Sequence, residues 1–244
     1  MTLLKNIEIV LVGTLQSGNI GAVARAMKNM GLSKLKLVNP ACRVDRQAYV
    51  MATHGEDILN RTEIFSALIS AVEMSSFVFG TTARGRKRRD FIYPSVMAAK
   101  AVNLAGANTV SIVFGPEDKG LSNDELEICN EVVQIPTMDD AASLNIAQAV
   151  MIMCYELFTA SGNHADSAIP VVLAPAGKIE EMYEHIKSAF LEIGFADPEN
   201  PGHVIGMLRR IFSRAGLTDK EVRMIRGIFR QLLWYIHNTN KSLR

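Results

Sequence analysis

Residues 7–38 read IEIVLVGTLQSGNIGAVARAMKNMGLSKLKLV, and this stretch decides the fold. Residues 7–12 form a short β-branched run, residues 20–30 repeat apolar side chains at helical spacing, and residues 34–38 return to a short apolar run. Gly31 follows the middle segment, where a glycine commonly ends a helix. A strand, a helix and a second strand in this order predict parallel α/β structure.

The same alternation continues for about 150 residues and then changes. Further strands are predicted at 77–79, 109–114 and 132–135, and helices beginning near Thr62, Pro94 and Ser122. Ser122 and Glu125 match a capping box, and Pro94 suits a first helical turn. Residues 161–177 have no amphipathic period, whereas the segment after them repeats apolar side chains at helical spacing. We therefore expect one domain at 1–160, a linker at 161–177 and a small all-helical domain at 178–244.

Composition places the 244-residue chain among globular proteins, because 48% of it is hydrophobic and 21% is charged. The cysteines Cys42, Cys129 and Cys154 show no Cys-x-x-Cys spacing and are expected to be buried thiols. The histidines show no metal-site spacing, so we predict no metal. Residues 1–13 lack signal-peptide features, and the longest apolar stretch, 144–158, is shorter than the about 20 residues that cross a bilayer. A cytoplasmic protein without a membrane partner is expected.

Three glycines stand at the carboxyl ends of predicted strands, at Gly13, Gly80 and Gly115. In open α/β sheets, ligands bind in the crevice beyond those strand ends. The first loop lacks the Gly-x-Gly-x-x-Gly order of dinucleotide-binding folds, and Asn19 and Ile20 stand where a P-loop needs Lys and Ser or Thr. The sequence therefore predicts a ligand site at this edge that belongs to neither of these two nucleotide-binding types.

Three segments near the predicted site carry a family resemblance. They are GNIGAVAR at 18–25, FGPEDKGLS at 114–122, and IPT at 135–137 continuing to SLNIA at 143–147. In order and approximate spacing they resemble the three motifs of the SPOUT methyltransferases, in the SpoU branch. The tail segments PGHV at 201–204, LRRIFSR at 208–214 and RGI at 226–228 look like those of the bacterial TrmJ tRNA methyltransferases. The resemblance therefore spans the chain.

This resemblance implies an activity and an assembly. The implied reaction is methylation of a ribose 2′-hydroxyl by S-adenosylmethionine, with S-adenosylhomocysteine as product and cytidine or uridine at nucleotide 32 of the tRNA anticodon loop as target. The resemblance also implies a homodimer with its active site across the subunit interface. It further implies a C-terminal trefoil knot in the parallel α/β sheet. Residues 144–158, apolar on nearly every side, are expected to be buried all round in a subunit interface or a domain core.

Three other functions stay open at this point. The enzyme alternative is a SPOUT ribose methyltransferase acting on ribosomal RNA or on another tRNA position. The non-enzymatic alternative is a catalytically inactive RNA-binding scaffold on the same fold. The third is an unrelated α/β protein whose glycine loops bind phosphate at helix N-termini.

The expected catalytic residues are Arg25, Asn19, Glu117, Ser143 and Asn145. The resemblance places the catalytic arginine at Arg25, and because a guanidinium is not deprotonated in proteins we favour charge stabilisation and phosphate positioning over general-base chemistry. Outside the resemblance, Arg25 would be a solvated helix residue, Asn19 and Ser143 helix N-caps, and Glu117 an exposed turn carboxylate. Glu117 is expected to fix its loop and Arg25 through charged hydrogen bonds. Asn145 is a poor interior residue for the predicted final helix, which favours a functional role.

The cofactor pocket and the RNA surface complete the expected site. By the resemblance, the pocket is lined by Thr81, Thr82, Ala83, Gly115, Ile135, Ala142, Ser143 and Leu144, with Ile135 against the adenine and the main chain of 142–144 holding the methionine end. A net charge of +1 gives no global argument for RNA binding, so that argument is local. The expected RNA contacts are Arg84, Arg86, Lys87, Arg88 and Arg89 beside the pocket, and Arg223, Arg226 and Arg230, which share one face of the last helix, preceded by Arg209, Arg210 and Arg214.

Overall fold

The computed structural model describes residues 3–83, 90–138, 143–162 and 171–242. Its strands are β1 (Ile7–Val12), β2 (Lys34–Val38), β3 (Glu63–Phe65), β4 (Phe77–Thr82), β5 (Val110–Phe114) and β6 (Glu131–Gln134). Its α-helices are α1 (Ser17–Asn29), α2 (Arg46–Ala52), α3 (Glu56–Leu59), α4 (Leu68–Val72), α5 (Pro94–Leu104), α6 (Asn123–Ile128), α7 (Ile146–Gly162), α8 (Ala176–Glu192), α9 (Gly202–Ala215) and α10 (Asp219–Ser242). Two 3-10 turns lie at Leu3–Asn6 and Thr53–Gly55.

The strands form one sheet in the order β3-β2-β1-β5-β4-β6, and every strand pair in it is parallel. The central strands β1 and β5 are buried at every residue, which explains why their sequences are apolar apart from Glu8 and Ser111. Helices α1, α2, α5 and α7 cover one face of the sheet, and α4 and α6 cover the other. The predicted parallel α/β class is confirmed.

The local signals that the sequence offered for helix ends are present in the structure. Pro94 lies in the first turn of α5, and Ser122 and Glu125 form a reciprocal capping box at the start of α6. Gly31 follows α1 with a φ of +76°, a backbone conformation that glycine adopts without steric cost. These positions fix where the helices start and stop, and hence where the loops at the strand ends begin.

Two element predictions were wrong. The residues after Thr62 form the edge strand β3 rather than a helix, and the Thr62 hydroxyl donates to the Ile58 carbonyl at 2.9 Å. Strand β3 pairs only with β2 and is largely exposed, so it lacks the apolar signature of a buried strand. Strand β4 runs on to Thr82, so Thr81 and Thr82 belong to the sheet rather than to a loop after Gly80.

Helix α7 also differs from its prediction. It begins at Ile146, so Asn145 lies outside the helix, where its Oδ1 accepts a hydrogen bond from the Ala147 amide at 2.9 Å. Asn145 is therefore a capping residue rather than a misplaced interior one. In the single chain the helix is not buried all round, because Tyr155 is 55% exposed and Phe158 is 42% exposed, and its burial in a subunit interface stays a prediction. A face of α7 rich in apolar atoms lies on the surface of the single chain.

A buried ion pair connects strands β1 and β2. Lys36 Nζ lies 2.7 Å from Glu8 Oε2 and donates to the Ala71 carbonyl at 2.8 Å, while Lys34 Nζ lies 3.6 Å from Glu8 Oε1. Ser111 donates to the same carboxylate at 3.4 Å. These partners satisfy the charges, which would otherwise make burial costly.

Helices α8, α9 and α10 pack around their own apolar cluster, which includes Met182, Ile186 and Val222. Side-chain and main-chain hydrogen bonds hold this unit on the sheet domain: Asn108 binds the main chain of Val171 and Leu173, and the Ala176 amide donates to the Ser75 carbonyl. None of the helices in the described ranges is long and apolar enough to span a membrane.

Candidate functional site

A chain of hydrogen bonds joins the three sequence segments at the carboxyl edge of the sheet. Glu117, in the loop after β5, accepts from the Leu15 amide at 3.1 Å and from Asn19 Nδ2 at 2.7 Å. Asn145 Nδ2 in turn donates to Asn19 Oδ1 at 3.1 Å. The side chain of Asn19 therefore links the start of α1 to the loop after β5 and to the start of α7.

Asn19 is not the N-cap of α1, because that position belongs to Gln16, which makes no side-chain capping bond. Asn19 lies inside the first turn and is half-buried, with both ends of its amide engaged. The capping explanation considered for Asn19 is therefore wrong. Its structural role is to hold the start of α1, the loop after β5 and the start of α7 next to one another.

A cavity of about 340 Å³ lies beside this chain of hydrogen bonds. Its lining includes seven of the eight residues expected at the cofactor: Thr81, Thr82, Ala83, Gly115, Ile135, Ser143 and Leu144. The eighth, Ala142, lies outside the described residues. Sequence reasoning missed Pro116, Lys119 and Ala149 in the same lining. Pro116 and Lys119 lie within the quoted segment 114–122, and Ala149 lies one helical turn after Asn145, so contiguity with the motifs was the signal available.

The walls of the cavity are of two kinds. Phe114, Val133, Ile135 and Ile146 supply apolar surface. Polar residues line the rest of it, at Thr81, Thr82 and Ser143 and in the segment 115–121, and the amides of Ser143 and Leu144 donate no hydrogen bond to any residue in the described ranges. The volume falls in the range of about 300–1,000 Å³ typical of sites for a small organic cofactor.

Gly115 gives the loop after β5 its shape. A Cβ at this position would lie 2.2 Å from the Leu121 nitrogen and 2.3 Å from the Gly120 carbonyl carbon, which no side-chain rotation can relieve. Only glycine allows the segment 115–121 to fold back on itself in this way. This fold carries Glu117 to the start of α1.

Arg25 lies apart from this cavity in the single chain. It is exposed on α1, on the same helix face as Gly18 and Ala22, and it does not line the cavity. The expected charged contact between Glu117 and Arg25 is absent from the described part of the chain, where Glu117 is engaged by Leu15 and Asn19 instead. The structure therefore brings together Asn19, Glu117 and Asn145, with Ser143 in the cavity wall, and leaves Arg25 facing solvent.

The loop at 39–45 lies against the loop after β1, because the Ala41 amide donates to the Thr14 carbonyl at 3.0 Å. Cys42 is partly exposed and donates to the Thr14 carbonyl at 3.4 Å, so the prediction of a buried thiol is wrong for this cysteine. Desolvation raises the pKa of Cys42, and the nearby charges of Glu117 and Asp45 raise it further. Burial raises the pKa of Cys154 to about 12. Neither thiol is activated as a nucleophile.

The expected RNA contacts divide into three groups. The run Arg84, Arg86, Lys87, Arg88 and Arg89 lies outside the described residues. In α10, Arg223 pairs with Asp219 at 3.2 Å and Arg226 pairs with Glu181 at 2.7 Å. Arg230 is exposed and forms no ion pair with any side chain that the structure describes. The three arginines are thus not equivalent.

The arginines of α9 also differ from one another. Arg209 forms a two-pronged ion pair with Glu180 and stacks 4.3 Å above the Tyr183 ring, so it fixes α9 on α8. Arg210 and Arg214 are exposed beside a groove between α9 and the β6 edge. No group of three or more metal-binding side chains occurs within the described ranges.

The parallel α/β sheet has its cavity at the strand ends, where two of the three quoted segments line it and the third is joined to them through Asn19, as the resemblance to the SPOUT methylases predicts. The family model described as the SpoU rRNA Methylase family matches residues 6–155, which is more than half of the chain. The chain belongs to the SpoU methylase family. A second model, described as the C-terminal domain of the tRNA methyltransferase TrmJ, matches residues 177–242.

Individual relatives agree with this assignment. The chain is 39% identical over 235 residues to the tRNA (cytidine/uridine-2′-O-)-methyltransferase TrmJ of Pectobacterium atrosepticum, covering 93% of this chain and 96% of the relative. The crystal structure of TrmJ from Z. mobilis ZM4 superposes with a TM-score of 0.79 at 28% identity, over 92% of this chain and 98% of that one. A probable methylase family protein from Haemophilus influenzae Rd KW20 gives a TM-score of 0.64 at 32% identity, over 97% and 99% of the two chains.

Proposed function

We propose that this protein transfers a methyl group from S-adenosylmethionine to the ribose 2′-hydroxyl of cytidine or uridine at nucleotide 32 of the tRNA anticodon loop. The observation that carries the proposal is the hydrogen-bonded chain from Glu117 through Asn19 to Asn145 beside the cavity. It ties the first family segment, through Asn19, to the two segments that line the cavity. The relatives' printed activity, 2′-O-methylation of cytidine and uridine in tRNA, supplies the substrate class.

The residues present fit S-adenosylmethionine. In the proposed complex, Ile135 packs on the adenine and the main chain at Ser143 and Leu144 holds the methionine end, with Thr81, Thr82, Ala83 and Gly115 forming the remaining wall. Bound there, the cofactor supplies an activated methyl carbon on a sulfonium. The chain's own contribution is to orient the acceptor ribose and to exclude water from the cavity.

Arg25 needs a second subunit to act in this site, because it is exposed and does not line the cavity of its own chain. The exposed face of α7, which includes Tyr155 and Phe158, offers an apolar surface for a homodimer. In the proposed dimer, the partner subunit's Arg25 lies at the cavity, holds the phosphate next to the target ribose and stabilises the developing alkoxide. The trefoil knot stays a prediction from the family.

Other parts of the chain have supporting roles in the proposal. Residues 1–160 carry the chemistry, residues 161–177 connect, and residues 178–244 aid tRNA binding. The basic run at 84–89 directly follows the cavity residue Ala83 in sequence, which supports phosphate contacts beside the site. The proposed compartment is the cytoplasm, where the tRNA substrate is available.

The test is methyl transfer from labelled S-adenosylmethionine to unmodified tRNA transcripts, with ribosomal RNA as the competing substrate. Transfer to tRNA and not to ribosomal RNA is expected. Transfer to ribosomal RNA alone would keep the chemistry and contradict the substrate, and transfer to neither would favour an inactive scaffold. Arg25→Ala is expected to retain cofactor affinity in calorimetry while abolishing turnover, and loss of cofactor binding would contradict the role given to Arg25.

A further inference from the structure

The outer surface of α10 carries a stripe that the site description leaves unexplained. Arg223, Gly227, Arg230 and Trp234 lie within a sector of about 60° around the helix axis. The inward face of α10 is formed by Val222, with Ile225 and Phe229 packed beside it, so the stripe points away from the apolar cluster of α8–α10. We call these four residues the α10 stripe.

Trp234 is the feature that demands an explanation. It is the single tryptophan of the chain, and its side chain is 59% exposed. An indole has a large apolar area, and tryptophan left on a surface is typical of sites that bind a partner. Trp234 has no ring partner among the aromatic pairs of the described residues. One face of the indole is therefore free to stack.

The charge beside Trp234 indicates what kind of partner it accepts. Arg230 lies one helical turn before Trp234, about 6 Å along the axis, and is exposed. The acidic side chains on and beside α10 have other partners: Glu181 binds Arg226, Glu192 binds His237, Asp219 binds Arg223 and Lys178, and Glu221 binds Thr218. Arg230 forms no ion pair within the described ranges, so it presents a full positive charge next to an open aromatic face.

Gly227 gives independent support for an approaching ligand. Glycine in a helix interior is unfavourable relative to alanine. A Cβ at Gly227 would meet nothing within 4 Å, so packing inside this chain does not require the glycine. Gly227 leaves a bare patch of helix between Arg223 and Arg230, where a sugar-phosphate chain gains close access to the backbone.

We propose that the α10 stripe binds an unpaired nucleotide of the tRNA, with its base stacked on Trp234 and its phosphate at Arg230. Aromatic stacking of splayed bases together with arginine contacts to phosphate is how proteins recognise single-stranded RNA segments. The inference rests on the proposed tRNA substrate and adds the residues by which the helical unit grips it. It also separates Arg230 from Arg226, whose charge is neutralised by Glu181.

The single tryptophan allows a direct test on the full-length protein. Unmodified tRNA transcript is titrated into the protein while the tryptophan emission is followed, and binding is measured in parallel with end-labelled tRNA. Saturable quenching with the same dissociation constant as the labelled tRNA is expected. Unchanged emission at saturating tRNA would overturn the proposal. A different result would assign the stripe to the interface with a second copy of the chain and would also overturn the proposal. In that case the emission would change with protein concentration in the absence of tRNA, and sedimentation would show that Trp234→Ala dissociates the subunits.

Matched variants give the second arm of the test. Trp234→Ala is expected to weaken tRNA binding about tenfold and to raise KM for tRNA, with kcat unchanged, whereas Trp234→Phe keeps a stacking ring and stays within about threefold of the parent. The logarithm of the tRNA binding constant falls linearly with the logarithm of the salt concentration. Arg230→Ala should reduce this slope by about one, and Arg226→Ala should leave it unchanged. Wild-type affinity in Trp234→Ala would refute the contact. Quenching without methyl transfer would contradict the proposed function alone, and transfer without quenching would contradict the stripe alone.

Discussion

Replacing Asn145 separates two roles that the structure assigns to one side chain. Its Oδ1 caps α7 by accepting from the Ala147 amide, and its Nδ2 donates to Asn19. Asn145→Ala removes both bonds, whereas Asn145→Ser keeps a capping oxygen and loses the bond to Asn19. Loss of a cap costs about 1 kcal/mol. For a chain of this size that corresponds to a decrease of about 2–4 °C in Tm.

The expected pattern is therefore different for stability and for turnover. Thermal unfolding should show the decrease for Asn145→Ala and a change of less than about 1 °C for Asn145→Ser. Single-turnover methyl transfer should fall about tenfold in both variants, because both release Asn19 from the start of α7 and loosen the geometry of the site. Wild-type turnover in Asn145→Ser would refute the claim that the hydrogen-bonded chain positions the reacting groups.

Three further predictions concern the loop, the buried pair and acid stability. Gly115→Ala should weaken cofactor binding at least about tenfold in calorimetry because its Cβ would overlap backbone, while the unobstructed Gly202→Ala should bind normally. Lys36→Met should lower the free energy of urea unfolding by about 3 kcal/mol because Glu8 then loses its closest ion-pair partner; an unchanged midpoint would contradict this. The bond from Ser17 lowers the pKa of Asp45 below its ordinary 3.8, so Asp45→Ala should lower Tm above that pH, and the difference from the parent should shrink as pH falls through the lower folded value.

The sheet and the helix ends were predictable because their signals are local. Short runs rich in β-branched residues mark β1 and β5, and the capping box at Ser122 depends only on residues three positions apart. Strand β3 was missed because it is an exposed edge strand of three residues, so neither burial nor alternation marks it in the sequence. The position of Asn145 was misjudged because its cap role depends on where α7 begins, two residues later than the apolar pattern suggested.

The sequence predicted which residues belong to the site, but not which hydrogen bonds join them. The motifs named Asn19, Glu117 and Asn145, but the contacts among them join residues about 100 positions apart along the chain, which no spacing rule reaches. For the same reason the pairing of Arg226 with Glu181, contributed by α8, was not foreseen from the charge pattern of α10 alone. Long-range packing decides which of several similar arginines is free.

The most direct test of the central claim uses tRNA transcripts that carry 2′-deoxyribose at nucleotide 32 and an otherwise identical all-ribose transcript. The enzyme and labelled S-adenosylmethionine are mixed with each in single turnover, and the product is digested and examined by mass spectrometry. We predict one methyl group on the ribose of nucleotide 32 in the all-ribose transcript and no transfer to the deoxy transcript. Equal transfer to both would contradict the assignment of that 2′-hydroxyl as the methyl acceptor.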